Sequence, residues 1–283
     1  MFKSLLRAKW PLFAFVVLIV VSVTALIGPR VAPKDPNRQN IVTRLQPPMQ
    51  PDRTGKVTAY LGTDGLGRDV LSRLLYGARV SVIVGFSAVF IGGLIGTSLG
   101  VTAGYFGGRL DSIIMRLADI QLAFPFILLA IMFLVVLKPG IWNLILILGV
   151  GQWVTYARIA RAQTISQREK EYVEAAKALG ARTLAVVFRT VLPNILAPLI
   201  VIASFNVSSV ILSEASLSFL GLGVPPTVPT WGGMLAESRD QLLAGRWWLA
   251  VFPGVAIALT VLSFNLIGDW LRDFLDPRLR GIQ

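Results

Sequence analysis

Six long apolar runs constrain this chain more than any other feature. They are roughly Pro11 to Ile27, Val80 to Ala103, Leu117 to Leu137, Ile141 to Thr155, Asn194 to Leu212 and Trp247 to Ile267. A bilayer core takes about 20 mainly apolar residues per helix. Inside lipid a backbone must satisfy its own hydrogen bonds, which makes each run a spanning helix. Only 15% of the 283 residues are charged, against roughly a quarter in a soluble domain. The expected fold is an all-α integral membrane protein with six transmembrane helices. Residues 1–79 would hold the first helix, a long loop and an interfacial helix. Residues 80–268 would form a core of five helices with a charged loop at 164–193, and residues 269–283 a tail. The rest of the chain is too scattered to build a second core.

The net charge of +12 raises nucleic acid as a partner, but the basic residues flank apolar runs, where topology and anionic lipid account for them. Lys3, Arg7 and Lys9 favour a cytoplasmic N-terminus. The run that follows them is too long for the core of a signal peptide, and is read as a retained helix. Six spans return the C-terminus, with Arg272, Arg278 and Arg280, to the same side. The loop bearing Arg158, Arg161, Arg168, Lys170, Lys177, Arg182 and Arg189 also falls there. The segment from Pro29 to Arg79 falls outside although it too is rich in Lys and Arg.

Absent chemistry narrows the function. There is no cysteine and no histidine, which removes thiol and Fe–S chemistry, the commonest general base and the commonest metal ligand. No metal site and no catalytic residue is assigned. No Gly-x-x-x-x-Gly-Lys-Ser/Thr occurs, so no P-loop binds ATP. The interiors of the apolar runs lack ionisable residues, whereas an internal proton relay keeps some despite their cost. Asp119, Glu214 and Asp269 lie only near run ends. A secondary transporter is disfavoured, although backbone carbonyls could still bind sodium.

The loop from Pro29 to Lys56 carries six prolines and should be extended and irregular. It leads into LGTDGLGRDVLSRLLYGAR. Here Leu66, Val70, Leu71, Leu74 and Leu75 share one helical face, with Arg68, Asp69 and Arg73 off it, as in an interfacial helix. The glycines at 62, 65 and 67 lack the order of a phosphate loop and mark an elbow. In the second run Ala88, Gly92, Gly96, Gly100 and Gly104 recur every four residues. That smooth stripe lets another backbone approach closely, either in plain helix packing or in a sliding contact near a transport path. Pro253 should weaken the sixth helix, and Trp10, Trp142, Trp247, Trp248 and Trp270 sit near run ends as interface anchors.

The charged loop holds EYVEAAKALGARTLAVVFRTVLP, from Glu171 to Pro193. From Ser166 to Leu179 there is neither Pro nor Gly. Tyr172, Ala175, Ala176 and Leu179 fall at i, i+3, i+4 and i+7, one apolar face, and Lys170 and Glu174 can pair off it. Such a helix, about 20 Å long, is marginal alone in water. Gly180 ends it as a C′ glycine, and a second helix, Thr183 to Leu192, stops at Pro193. Pattern alone leaves this segment open between a helix lying on the membrane and a docking element.

EAAKALG followed by VLP resembles the EAA loop of bacterial ABC importer permeases. Further segments are similar to the C-type permeases of dipeptide, oligopeptide and nickel importers. These are LGTDGLGRDVLSRLLYGAR, AGYFGGRLD with MRLADIQLAFP, SEASLSFLGLGVPPTVPTWGGML and the closing WWLAVFPGVAIALTVLSFNLIGDWLRDFLDPRLR. Together they cover most of the chain beyond residue 58. Two positions depart from the pattern: Thr190 stands where the loop has Ile, and Ala59 about where a His is frequent. The resemblance implies an ABC type I importer permease fold in the bacterial inner membrane. It implies a homologous B-type permease as heterodimer partner, two cytoplasmic ATPase subunits and an extracytoplasmic substrate-binding protein. ATP and Mg would be bound by the ATPases, with no cofactor on this chain. Peptides are the expected cargo, with nickel chelates or glutathione as alternatives. By position Glu174, Ala175, Ala176 and Gly180 belong to the ATPase-coupling element, with Tyr172 and Leu179 on its docking face. Glu214 and Trp231 lie in the outer segment, either at a substrate entrance or, for Glu214, as a charge that orders the loop.

Overall fold

The computed structural model describes residues 9–51, 55 and 57–275; Lys3, Arg7, Lys56, Arg278 and Arg280 lie outside the described residues. The chain is helical: α1 (Lys9–Val31), α2 (Val70–Phe106), α3 (Gly108–Leu122), α4 (Phe126–Leu137), α5 (Ile141–Arg168), α6 (Glu171–Ala178), α7 (Thr183–Phe219), α8 (Trp231–Leu242) and α9 (Trp248–Leu275). Five of these, α1, α2, α5, α7 and α9, are long and apolar enough to cross a bilayer. α3 and α4 pass the same test together but are bent by 85°. The third run is therefore broken, and the described residues hold five spanning helices, or six if the bent pair is one span. Pro125 has no N–H to continue α3 and disfavours helix at Phe124, and the Phe126 ring settles over Gly151, where a Cβ would come within 1.9 Å of it.

α2 is the spine. Asp69 caps it by accepting from the Ser72 amide, and the helix then runs unbroken for 37 residues, about 55 Å. The expected interfacial helix and second span are one element. Its small-residue stripe packs inside the chain, against α5. A Cβ at Gly92, Gly96, Gly100 or Gly104 would meet the carbonyl oxygen of Gly149 at 2.6 Å, Trp153 at 2.2 Å, Ala157 at 2.3 Å or Arg161 at 2.7 Å. Ala88 at the same spacing is fully buried. The stripe thus packs α2 against α5.

α3 runs antiparallel to α5 and is tied to it at three levels. Arg161 makes a bidentate pair with Asp111, Arg158 donates to Asp119 at 2.6 Å, and the Trp153 indole donates to Gln121 at 2.6 Å. α7 is also longer than the fifth run. The Leu-Pro expected to stop the preceding helix does not: Val186–Val191 forms a π turn, and the Leu192 amide reaches the Val187 carbonyl five residues back. The extra residue in that turn absorbs the hydrogen bond that Pro193 cannot make. Pro253 likewise leaves α9 continuous, being only in its second turn.

The stripe yields a direct test. Gly96→Leu must push α2 off the Trp153 carbonyl and the Tyr156 Cβ, 2.6 Å from the added carbon. Overpacking typically costs 1–3 kcal/mol, occasionally more, so the variant is expected to lower the thermal unfolding midpoint of the detergent-solubilised protein, read by tryptophan fluorescence. An unchanged midpoint would show that the helices can separate freely.

Candidate functional site

The charged loop folds into a short helix set across the ends of the long ones. α5 ends at Arg168, Lys170 turns to extended backbone (φ −80°, ψ 142°), and α6 begins at Glu171. The single helix expected from Ser166 to Leu179 is therefore two. Among the described residues no ion pair joins Lys170 to Glu174; the Glu174 amide instead donates to the Lys170 carbonyl at 3.2 Å. Glu171 and Glu174 sit in the first turn of α6 and Lys177 in its last, the arrangement that the helix dipole favours.

Val173 is fully buried, and Ala176 is half-buried and packs on the same apolar cluster as Val186, Val187 and Val191 of the π turn. Tyr172, Glu174, Ala175 and Leu179 are exposed, Tyr172 by 44% and Leu179 by 89%. Ala176 thus seats α6 on its own chain, and the apolar side chains left uncovered are Tyr172, Ala175, Ala178 and Leu179. Val173, absent from the expected set, is the anchor. It is one residue off the i, i+3, i+4 series, so the assumed helix phase hid it.

α6 ends in a Schellman turn. The Gly180 amide donates to the Lys177 carbonyl at 2.9 Å and the Ala181 amide to the Ala176 carbonyl at 3.1 Å, with Gly180 at φ +79°. A Cβ on Gly180 would meet nothing within 4 Å. The constraint here is the left-handed backbone, which glycine adopts without cost, and not a lack of space.

At the opposite end of α2 lies a buried ionic cluster that sequence reasoning missed. Asp64 accepts from the amides of Leu66 and Arg68, from Arg68 Nε at 2.7 Å and from Arg73 Nη1 at 2.5 Å. Arg68 and Arg73 both also reach Glu237 of α8. Arg68 and Arg73, placed on a solvated side by helical periodicity, are 6% and 2% exposed. Gly67 allows the fold: at φ +73°, its Cβ position lies 1.8 Å from the Asn40 carbonyl oxygen. The elbow pins the irregular loop, with the Thr63 amide donating to the Gln46 carbonyl and the Leu45 amide to that of Asp64. Burial raises the Asp64 pKa, but Arg73, Arg68 and the two amides outweigh it and hold the carboxyl below its ordinary value.

Glu214 and Trp231, the candidate entrance residues, are buried at 1% and 2%. Ser81 and Ser218 donate to the Glu214 carboxylate at 3.2 and 2.7 Å, and the Trp231 indole donates to the Leu74 carbonyl at 3.0 Å. Both join α2 to its neighbours and neither presents a surface to a solute. The large concavity lies elsewhere, between α2 and α7: about 780 Å³, lined by residues such as Phe86, Phe90, Thr97, Phe106, Tyr156 and Phe188, with no charged side chain. Among the described residues no group of three or more acidic side chains could hold a metal.

Residues 96–281 match the binding-protein-dependent transport system inner membrane component family. The chain belongs to that family. Residues 1–48 also match the N-terminal transmembrane domain of oligopeptide transport permease C. The permease is 43% identical to the dipeptide transport system permease protein of Haemophilus influenzae over 95% of this chain and 90% of that one. It is 43% identical to the di/tripeptide transport system permease protein of Pseudomonas aeruginosa over 99% and 91%. Its fold is similar to the inward-facing MetNI methionine ABC transporter, with a TM-score of 0.59 and 20% identity over 72% of this chain and 97% of that one. The permease is thus an all-helical, multi-pass inner-membrane component with a type I importer fold, the non-catalytic membrane part of a transport system.

The ionic cluster predicts how the permease responds to acid. Because the Asp64 pKa is depressed in the fold, its contribution is present above the ordinary value of about 3.9 and is lost as pH falls through the folded value. Stability should therefore hold from pH 7 to 5 and fall below about pH 4. Asp64→Leu, which leaves the two buried guanidinium groups to share Glu237 alone, should destabilise the fold at pH 7 by up to about 3–5 kcal/mol and flatten that acid limb. An equal acid limb in the variant would assign it to other groups.

Proposed function

We propose that this permease forms half of a translocation path for peptides. In this reading α6 lies on the cytoplasmic side and docks an ATPase subunit, and the α2–α7 groove is the chain's share of the path. The observation that carries it is the combination of α6 with the absence of a P-loop. A Schellman-capped helix seated by Val173 leaves Tyr172, Ala175 and Leu179 uncovered, in a sequence with no nucleotide loop of its own. A short helix with a solvated apolar face needs a partner, and an importer permease needs an energy source. The seven basic residues from Arg158 to Arg189 around α6 support the cytoplasmic placement. Relatives named for dipeptide and di/tripeptide transport support the cargo. A homologous second permease would close the groove, two ATPases would bind ATP and Mg, and a substrate-binding protein would deliver peptide from outside.

The test is reconstitution into proteoliposomes with candidate partners. Uptake of di- or tripeptide should require the ATPases, ATP and the binding protein together. Uptake by this chain alone, driven by an ion gradient, would overturn the proposal in favour of a secondary transporter.

Gly180 separates shape from size. Gly180→Ala forces a side chain into φ +79° and should cost roughly 1 kcal/mol, loosening α6 and lowering uptake per ATP hydrolysed. Gly180→Asn, which tolerates that backbone, should keep most of the wild-type ratio although its side chain is larger. The reverse order would show that space, not backbone conformation, governs this position.

A further inference from the structure

α6 has only eight residues, so what moves with it depends on the few contacts that seat it. There are two kinds. Val173 and Ala176 sit in the apolar cluster of the π turn at the start of α7. On the other side, the Lys177 ammonium lies 5.5 Å from the centroid of the Tyr105 ring, within cation–π range. Arg168, two residues before α6, donates from Nη1 to the Tyr105 carbonyl at 2.9 Å. Tyr105 is the penultimate residue of α2. The ends of α2, α5 and α6 therefore meet at one residue, α5 through its backbone carbonyl and α6 through its ring.

The two contacts reach opposite walls of the same groove. α7 is one wall and α2 the other, and α2 is bound to α5 along its whole glycine stripe. A displacement of α6 that acts on both ends changes the distance between the walls. The contacts differ in kind. The π-turn contact is apolar, and opening it would expose core. The Tyr105 contact is an exposed ammonium over a half-buried ring, which can part and re-form while Lys177 stays hydrated.

We propose that Tyr105 is the joint through which α6 moves the α2 wall of the groove, an inference that rests on the ATPase-docking role given to α6. Tyr105 is a positioning residue: it touches neither peptide nor nucleotide and acts through α2. A surface cation–π contact shifts a two-state balance by roughly two- to fivefold, which sets the size of the effect.

The experiment uses the complete importer in proteoliposomes and reads peptide uptake per ATP hydrolysed. Tyr105→Leu keeps the backbone carbonyl that Arg168 uses but removes the ring face, and should lower the ratio by roughly two- to fivefold while hydrolysis continues. Tyr105→Phe keeps the ring face and should restore the wild-type ratio, a rescue that loss of the hydroxyl in a merely structural role would not produce. Lys177→Met should match Tyr105→Leu, and the two together should be no worse than either alone. Lys177 is exposed, so this variant still decides the matter if Tyr105→Leu assembles poorly. An unchanged ratio in both, or a Phe variant that behaves like Leu, overturns the joint. Because the sequence holds no cysteine, Leu179→Cys gives a single thiol on this chain for cross-linking to the ATPase. Failure to cross-link would overturn the docking role itself. Cross-linking together with an unchanged ratio would overturn the joint alone.

Discussion

The backbone-to-backbone contact between α2 and α5 is the interaction on which the rest of the structure depends. In lipid, helices gain nothing by hiding apolar side chains from one another, and association rests on close van der Waals packing. Gly92, Gly96, Gly100 and Gly104 allow that closeness, and the facing carbonyls of Gly149, Trp153, Ala157 and Arg161 repeat at the same interval of four. Two helices locked at matched intervals behave as one rod. α3 is tied to that rod by Asp111, Asp119 and Gln121, and α7 by the shared apolar cluster. A change of side-chain size on the stripe therefore displaces the supports of every other element.

Polar chemistry is concentrated at the two ends of this rod, and its distribution follows from the cost of charge. The cluster of Asp64, Arg68, Arg73 and Glu237 is formally neutral, and its members are hydrogen-bonded to one another and to backbone amides. Such a cluster is poor in net stabilisation but severe when broken, so it specifies where α8 sits more than how stable the fold is. At the other end α6 is seated by the buried Val173 and by the exposed contact of Lys177 with the Tyr105 ring.

The apolar runs placed every spanning helix, because length and hydropathy alone decide what can cross a bilayer. The small-residue stripe was legible for the same reason: a period of four on a helix has one geometric meaning. Helix boundaries were not. Pro125 broke a run that hydropathy scored as continuous, and Pro193 failed to stop a helix because a π turn made room for it. Nor was the ionic cluster legible. Arg68 and Arg73 look solvated on a helical wheel, and their partner Glu237 lies 169 and 164 residues further on. The short helix α6 was legible in its residues, but its anchor Val173 was missed, because it lies one residue off the apolar face that the spacing picks out.

If α6 docks an ATPase as proposed, coupling is mechanical, and the geometry limits what form it can take. A partner can shift an equilibrium only by contacting two states differently. α6 offers such a partner the exposed set Tyr172, Ala175 and Leu179, and no charged side chain lines the groove to respond to distant electrostatic change. What remains is displacement. The α2–α5 rod would transmit it because its close packing leaves little space to compress. In that reading a motion entering at α6 is carried along the rod, and the groove between α2 and α7 is where the separation of the walls changes.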